Sequence, residues 1–198
     1  GTYDTGTTAT TLGGVSSLSR VLLDKKLYLK GAGRDLTIIR GADAAAPDVD
    51  GLGMDAVRCL YIADAAKGSL IEGITFKDGR TVTLDGAQTG SLPIWEPYGG
   101  ATTNQLAYAG RNQASIGGGI AYAVEVDNTA SPVPAYLVDC RVSSCRAGFS
   151  GGAVYGRMVL IRTLVDNSWA QTCYGGVLAK IRGAFSSVFA SNCKISNG

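Results

Sequence analysis

The chain has 198 residues, 45% of them hydrophobic and 28 of them glycine, with 18 Lys or Arg against 16 Asp or Glu and no histidine. A net charge of +2 without charge runs gives no electrostatic footprint for nucleic acid or an anionic membrane, the lack of histidine removes most zinc and haem sites, and no apolar stretch reaches the ~18 residues that span a bilayer. The length fits one domain, residues 1–198, and the glycine content asks for many bends rather than long helices.

In chain order, Gly1-Thr2-Tyr3-Asp4 leads into a Thr/Gly/Ser-rich run ending at Ser19, then an alternating stretch from Val21 to Leu29. Lys30-Gly31-Ala32-Gly33 and Leu36-Thr37-Ile38-Ile39-Arg40-Gly41 follow as a turn and a strand. Residues 41–56 form a polar excursion in which Asp48, Asp50 and Asp55 stand among glycines. Such carboxylates offer hard oxygen ligands to Ca²⁺, and they are equally the residues that a solvated turn favours. Val57 to Ile62 and Leu70 to Lys77 read as strands, with Ile74 and Phe76 facing inward. From 80 to 115 nothing is periodic. A loop of that length is usually functional or an added lobe, and its Trp95, Tyr98 and Tyr108 are candidates to stack on sugars, to fill a partner's groove or to clamp the loop itself.

The last third repeats a unit of a strand and a polar corner. Its copies are Leu137-Val138-Asp139-Cys140-Arg141-Val142-Ser143-Ser144, Leu160-Ile161-Arg162-Thr163-Leu164-Val165-Asp166-Asn167, and Phe189-Ala190-Ser191-Asn192-Cys193-Lys194-Ile195-Ser196-Asn197. A double glycine with a short apolar strand recurs between them, at Gly118 to Tyr122, Gly151 to Tyr155 and Gly175 to Ala179. A period of this size means one supersecondary unit stacked on copies of itself. The expected fold is therefore all-β, a right-handed parallel β-helix (solenoid) with a long irregular excursion at 80–115. One inward column holds Cys140, Thr163 and Cys193, another Val142, Val165 and Ile195, while Lys77, Asp166 and Ser196 face out. Five cysteines, an odd number, leave at least one thiol unpaired within the chain, and Cys145 and Cys173 fall in successive corners where a disulfide is open to them.

The opening Gly1-Thr2-Tyr3, the run from Leu29 through Gly31, Gly33, Thr37, Ile38 and Ile39 to Gly41, and the later Gly117 to Ile120, Asp139 to Val142 and Asn192 to Ile195 resemble pectate-lyase-like right-handed β-helix proteins. The later units are most similar to bacterial cell-surface β-helix proteins of autotransporter and polymorphic outer-membrane-protein type. The resemblance implies a fold rather than an activity, because the pectinesterase signatures Gln-Asp-Thr-Leu, Asp-Phe-x-Phe-Gly and Leu-Gly-Arg-Pro-Trp do not occur.

Without histidine there is no Ser-His-Asp or Cys-His constellation. The functional expectation is a non-enzymatic extracellular or cell-surface protein: a structural fibre, a surface-layer subunit or an adhesin. The alternative is a carbohydrate-active domain, either polysaccharide-lyase-like or glycan-binding, with Asp139 and Arg162 as the outward charges; these are more simply a cross-strand ion pair. The expected partner is another copy of the chain, joined head to tail where an uncovered rung leaves backbone groups to satisfy, with a glycan as a further candidate.

Overall fold

The computed structural model describes residues 1–12, 15–48, 50–83, 114–122, 133–171, 177–179 and 188–196. Its strands assemble mainly into three sheets of short segments. Sheet I contains β1 (Thr2–Tyr3), β5 (Ile38–Arg40), β8 (Thr75–Lys77), β11 (Arg141–Ser143), β15 (Leu164–Asp166) and β19 (Lys194–Ser196), in that spatial order. Sheet II runs β4 (Tyr28–Lys30), β7 (Leu70–Glu72), β10 (Ala135–Val138), β14 (Met158–Ile161) and β18 (Val188–Ser191). Sheet III runs β2 (Thr8–Leu12), β3 (Val15–Leu23), β6 (Val57–Ile62), β9 (Ile120–Tyr122), β13 (Val154–Tyr155) and β17 (Leu178–Ala179). A two-stranded sheet pairs β12 (Arg146–Ala147) with β16 (Trp169–Ala170).

Each sheet contributes one apolar column to the core. Tyr3, Ile39, Phe76, Val142, Val165 and Ile195 stand opposite one another along sheet I. Leu29, Ile71, Leu137, Leu160 and Ala190 do so along sheet II, and Val21, Leu60, Ile120, Val154 and Leu178 along sheet III. In-register parallel pairing requires that each pass repeat the side-chain alternation of the one before, and β-branched and aliphatic residues suit such half-enclosed surfaces. Phe76, Val142, Leu60, Ile71 and Leu137 are fully enclosed.

The expected single right-handed parallel β-helix over 1–198 is overturned by this arrangement. The chain is all-β and most of its pairs are parallel, but the strands are divided among separate sheets, and sheet III is mixed because β2 runs antiparallel to β3. In the sequence, Gly13-Gly14 is a hairpin signal rather than a repeat signal, although these two residues lie outside the described ones. The expected register of Val142, Val165 and Ile195 is observed. Ile195, expected to be buried, is 46% exposed, since β19 is the outermost described strand of sheet I. The double-glycine units also pair one residue away from their expected alignment: Ile120 lies opposite Val154, so Gly118 corresponds to Gly152. Gly117 and Gly151, at φ 62° and 68°, are the equivalent left-handed positions that only glycine adopts freely.

The excursion is anchored at its described roots. Thr81, Val82, Ala114 and Ser115 are buried, and the Val82 amide donates to the Ala114 carbonyl at 3.4 Å. Beneath them Arg58 is fully buried, its guanidinium donating to Ser17 Oγ at 3.0 Å and to the carbonyls of Ala114 and Ile116 at 3.1 and 3.0 Å. Burial pulls the Arg58 pKa down to about 10, which still leaves it charged at neutral pH. Trp95, Tyr98 and Tyr108 lie outside the described residues.

Two substitutions in one column separate its middle from its edge. Phe76→Ala should cost about 3–5 kcal/mol through lost burial and a residual cavity, whereas Ile195→Ala should cost under about 1 kcal/mol, both read by chemical denaturation.

Candidate functional site

The passage from sheet II to sheet I is a corner of fixed construction. In the later passes it has two residues, Gly73-Ile74, Asp139-Cys140, Arg162-Thr163 and Asn192-Cys193. The first of each pair has positive φ, 65°, 52°, 48° and 52° in turn. The second points into the core. Cys140, Thr163 and Cys193 each donate to the carbonyl two residues back, at 3.3, 3.1 and 3.3 Å, and each also approaches a carbonyl of the preceding pass, Ile71, Leu137 and Leu160 respectively. Small side chains with one donor fill this column, so the cysteines here are structural and not a disulfide pair. Among the described cysteines, Cys59, Cys140, Cys145 and Cys193 are free thiols, and Cys173 lies outside the described residues.

In the first pass the same connection is longer, residues 31–37, and it overhangs the corner column. Gly33 O accepts from the amides of Leu36 and Thr37 at 2.9 Å each, Thr37 Oγ1 accepts from Ala32 N at 2.9 Å, and Thr75 Oγ1 donates to the Arg34 carbonyl at 2.5 Å. The loop lies so close to Gly73 that a Cβ on Gly31 would fall 2.3 Å from the Gly73 carbonyl. Between overhang and corner runs a groove of about 360 Å³ lined by Lys30, Gly31 to Arg34, Glu72, Gly73 and Asp139, at the lower end of the size range of ligand pockets.

The charges of this groove are mostly paired across neighbouring strands. Arg162 grips Asp139 with two bonds, Nε to Oδ1 at 2.7 Å and Nη2 to Oδ2 at 2.6 Å. Lys30 Nζ lies 3.4 Å from Glu72 Oε1 and 5.9 Å from the Tyr28 ring centre, while the Tyr28 hydroxyl donates to Glu72 Oε2. The Arg162 bonds hold the Asp139 carboxyl below its ordinary range, and the Tyr28 hydroxyl, aided by Lys30, does the same for Glu72. Arg34 donates weakly to the Arg162 carbonyl at 3.5 Å and has no carboxylate within ion-pair distance among the described residues. Arg162 occupies a left-handed position where Gly, Asp and Asn stand in the other passes. Such backbone is rare for a long side chain, and here it aims the guanidinium along the groove wall onto Asp139.

The sequence singled out Asp139 and Arg162 as a cross-strand pair, and they are one. It did not single out Tyr28, Lys30 or Glu72, which the β4–β7 pairing brings together, or Arg34, which the 31–37 loop carries to the groove. Asp48, Asp50 and Asp55 each have separate partners. Asp48 Oδ1 accepts from the amides of Asp50 and Leu52 at 2.8 and 3.0 Å, Asp50 Oδ1 lies 3.6 Å from Arg146 Nη1, and the Asp55 carboxylate accepts from Ala45 N at 3.2 Å. No group of three His, Cys, Asp or Glu side chains suited to a metal ion is found among the described residues. No described helix is long and apolar enough to cross a membrane.

In comparison with known proteins, the chain matches no family model, no curated protein and no solved structure. Nothing in those comparisons identifies the pectate-lyase-like family that the sequence resembles.

Because the folded-state pKa values of Asp139 and Glu72 are lowered, their contribution to stability is present above the unfolded carboxylate pKa and is lost as pH falls through the folded values. The melting temperature should therefore drop on acidification below the ordinary carboxylate range. The drop should be smaller in Asp139→Asn, as thermal melts across an acid pH series would show.

Proposed function

We propose that the chain is a non-enzymatic extracellular or cell-surface structural protein of adhesin type, and that the groove under the 31–37 loop binds a glycan. The observation that supports this reading is the pairing of the groove's charges. Lys30 with Glu72 and Arg162 with Asp139 form neutralised pairs, which present fixed donors and acceptors rather than a free acid and base. A hydroxyl-rich ligand needs donors and acceptors side by side. Tyr28, 51% exposed on the strand that enters the groove, adds an aromatic face on which a sugar ring can stack. Underneath, the three apolar columns make a rigid support, the condition for holding such side chains in place.

Self-association belongs to the same proposal. Exposed edge strands allow a second copy to add strands, and among the described residues Tyr3 and Ile195 stand exposed at the two outer strands of sheet I. In sheet III the outermost described strand, β2, is antiparallel to its neighbour, so among the described strands a continuous parallel junction between copies falls to sheets I and II.

Glycan-array screening of the full chain, followed by titration of the best ligand, tests the binding reading. Tyr28→Ala and Arg34→Ala should each weaken binding about tenfold, the loss of one ring contact or one charged hydrogen bond, while Lys194→Ala on the distant outer strand should leave it unchanged. Equal affinity in all four proteins would place the ligand elsewhere. Depolymerisation of any polysaccharide in the screen would replace the adhesin reading with an enzymatic one.

A further inference from the structure

The core contains a second pair of chemically competent groups that the groove does not use. Cys59 belongs to β6 and Cys145 follows β11, and both are fully buried. Two glycines keep open the space into which their side chains project: a Cβ at Gly79 would lie 3.0 Å from Cys59 Sγ, and one at Gly119 would lie 3.1 Å from Cys145 Sγ. Gly119 O accepts from Leu60 N at 3.0 Å and Gly79 O accepts from Arg146 N at 2.8 Å, so each thiol sits against the glycine that pairs beside the other cysteine. Each also rests on the main chain, Cys59 Sγ 3.2 Å from the Lys77 carbonyl and Cys145 Sγ 3.2 Å from the Ser143 carbonyl. This differs from Cys140 and Cys193, which occupy one column with Thr163 between them.

We propose that Cys59 and Cys145 are a modification site: they form an intramolecular disulfide that ties sheet III to the end of β11 when the chain folds in the presence of a small-molecule disulfide. The thiolate of one cysteine attacks the reagent disulfide, releasing one reagent thiol and leaving a mixed disulfide. The second cysteine's thiolate displaces the remaining reagent sulfur, so the protein sulfurs give up two electrons and two protons, and the reagent leaves as two thiols. The sulfurs must close to the ~2.05 Å of an S–S bond, and the absence of side chains at Gly79 and Gly119 leaves room for that movement. Burial, reinforced by the Cys145 thiol, pushes the Cys59 thiol well up from its ordinary value. In the finished fold it is therefore protonated and shielded, and the exchange belongs to folding, before the Gly79 pass closes over it. The loop enclosed is long, the case in which a cross-link restricts the unfolded chain most.

The test uses the full chain, refolded with mixed oxidised and reduced glutathione, alkylated in denaturant, digested and analysed by mass spectrometry. The expected result is one linked pair of peptides carrying Cys59 and Cys145 that disappears on reduction. The oxidised protein should also melt above the reduced one, a difference absent in Cys145→Ala. Alkylation of both Cys59 and Cys145 after refolding, or linkage of either to another cysteine, overturns the proposal. Should Cys145→Ala fail to fold, the wild-type peptide map alone decides.

Discussion

The structure depends on the parallel hydrogen-bonded ladder between one pass of the chain and the next. A short strand such as Val154–Tyr155 or Arg141–Ser143 has too few groups to be stable alone. It persists because each neighbour supplies both backbone partners and an apolar side chain in register. Phe76 over Val142 over Val165 is the simplest instance, and all three are buried. The ladder imposes a strict requirement on the sequence, since a slip of one residue would exchange Val142 for Arg141 or Ser143 and turn polar groups into the core. Strands at a described edge escape half of that requirement, which accounts for the exposure of Ile195 in the same column.

The groove is a consequence of where the ladder is interrupted. Once the corner between sheets II and I is fixed at two residues, its first position must be left-handed, and the side chains there project outward in a row. Asp139 and Arg162 are successive members of that row, which brings their ion pair to the surface. Exposed pairs of this kind contribute little to stability, so their value is in orienting donors and acceptors. The longer 31–37 connection then covers the row from one side and converts a flat wall into a concave one. The same spacing of passes that builds the core thus sets the distance between the groove's polar groups.

Much of the register was legible because it is written in side chains. Val142, Val165 and Ile195 carry the alternation themselves, as do Cys140, Thr163 and Cys193. Features carried by glycine were harder to read. A run of three glycines from Gly117 to Gly119 hides which one is left-handed, and this shifted the expected alignment by a residue. Gly13-Gly14 looked like more of a Thr/Gly/Ser-rich lead-in, although it separates two strands that pair antiparallel and make sheet III mixed. The groove was illegible for a different reason. Tyr28, Lys30 and Arg34 meet Glu72 and Asp139 only through the parallel ladder and the overhang of a loop, neither of which is a local property of the sequence.

Methyl-resolved nuclear Overhauser spectroscopy on the full chain reads the in-register stacking of successive strands. The pairing calls for strong contacts from the Phe76 ring to the Val142 methyls and from those to the Val165 methyls, together with contacts from Ile71 to Leu137 and from Leu137 to Leu160. Contacts that instead place Val165 beside residues one position away from Val142, or that show no proximity between Phe76 and Val142, would contradict it.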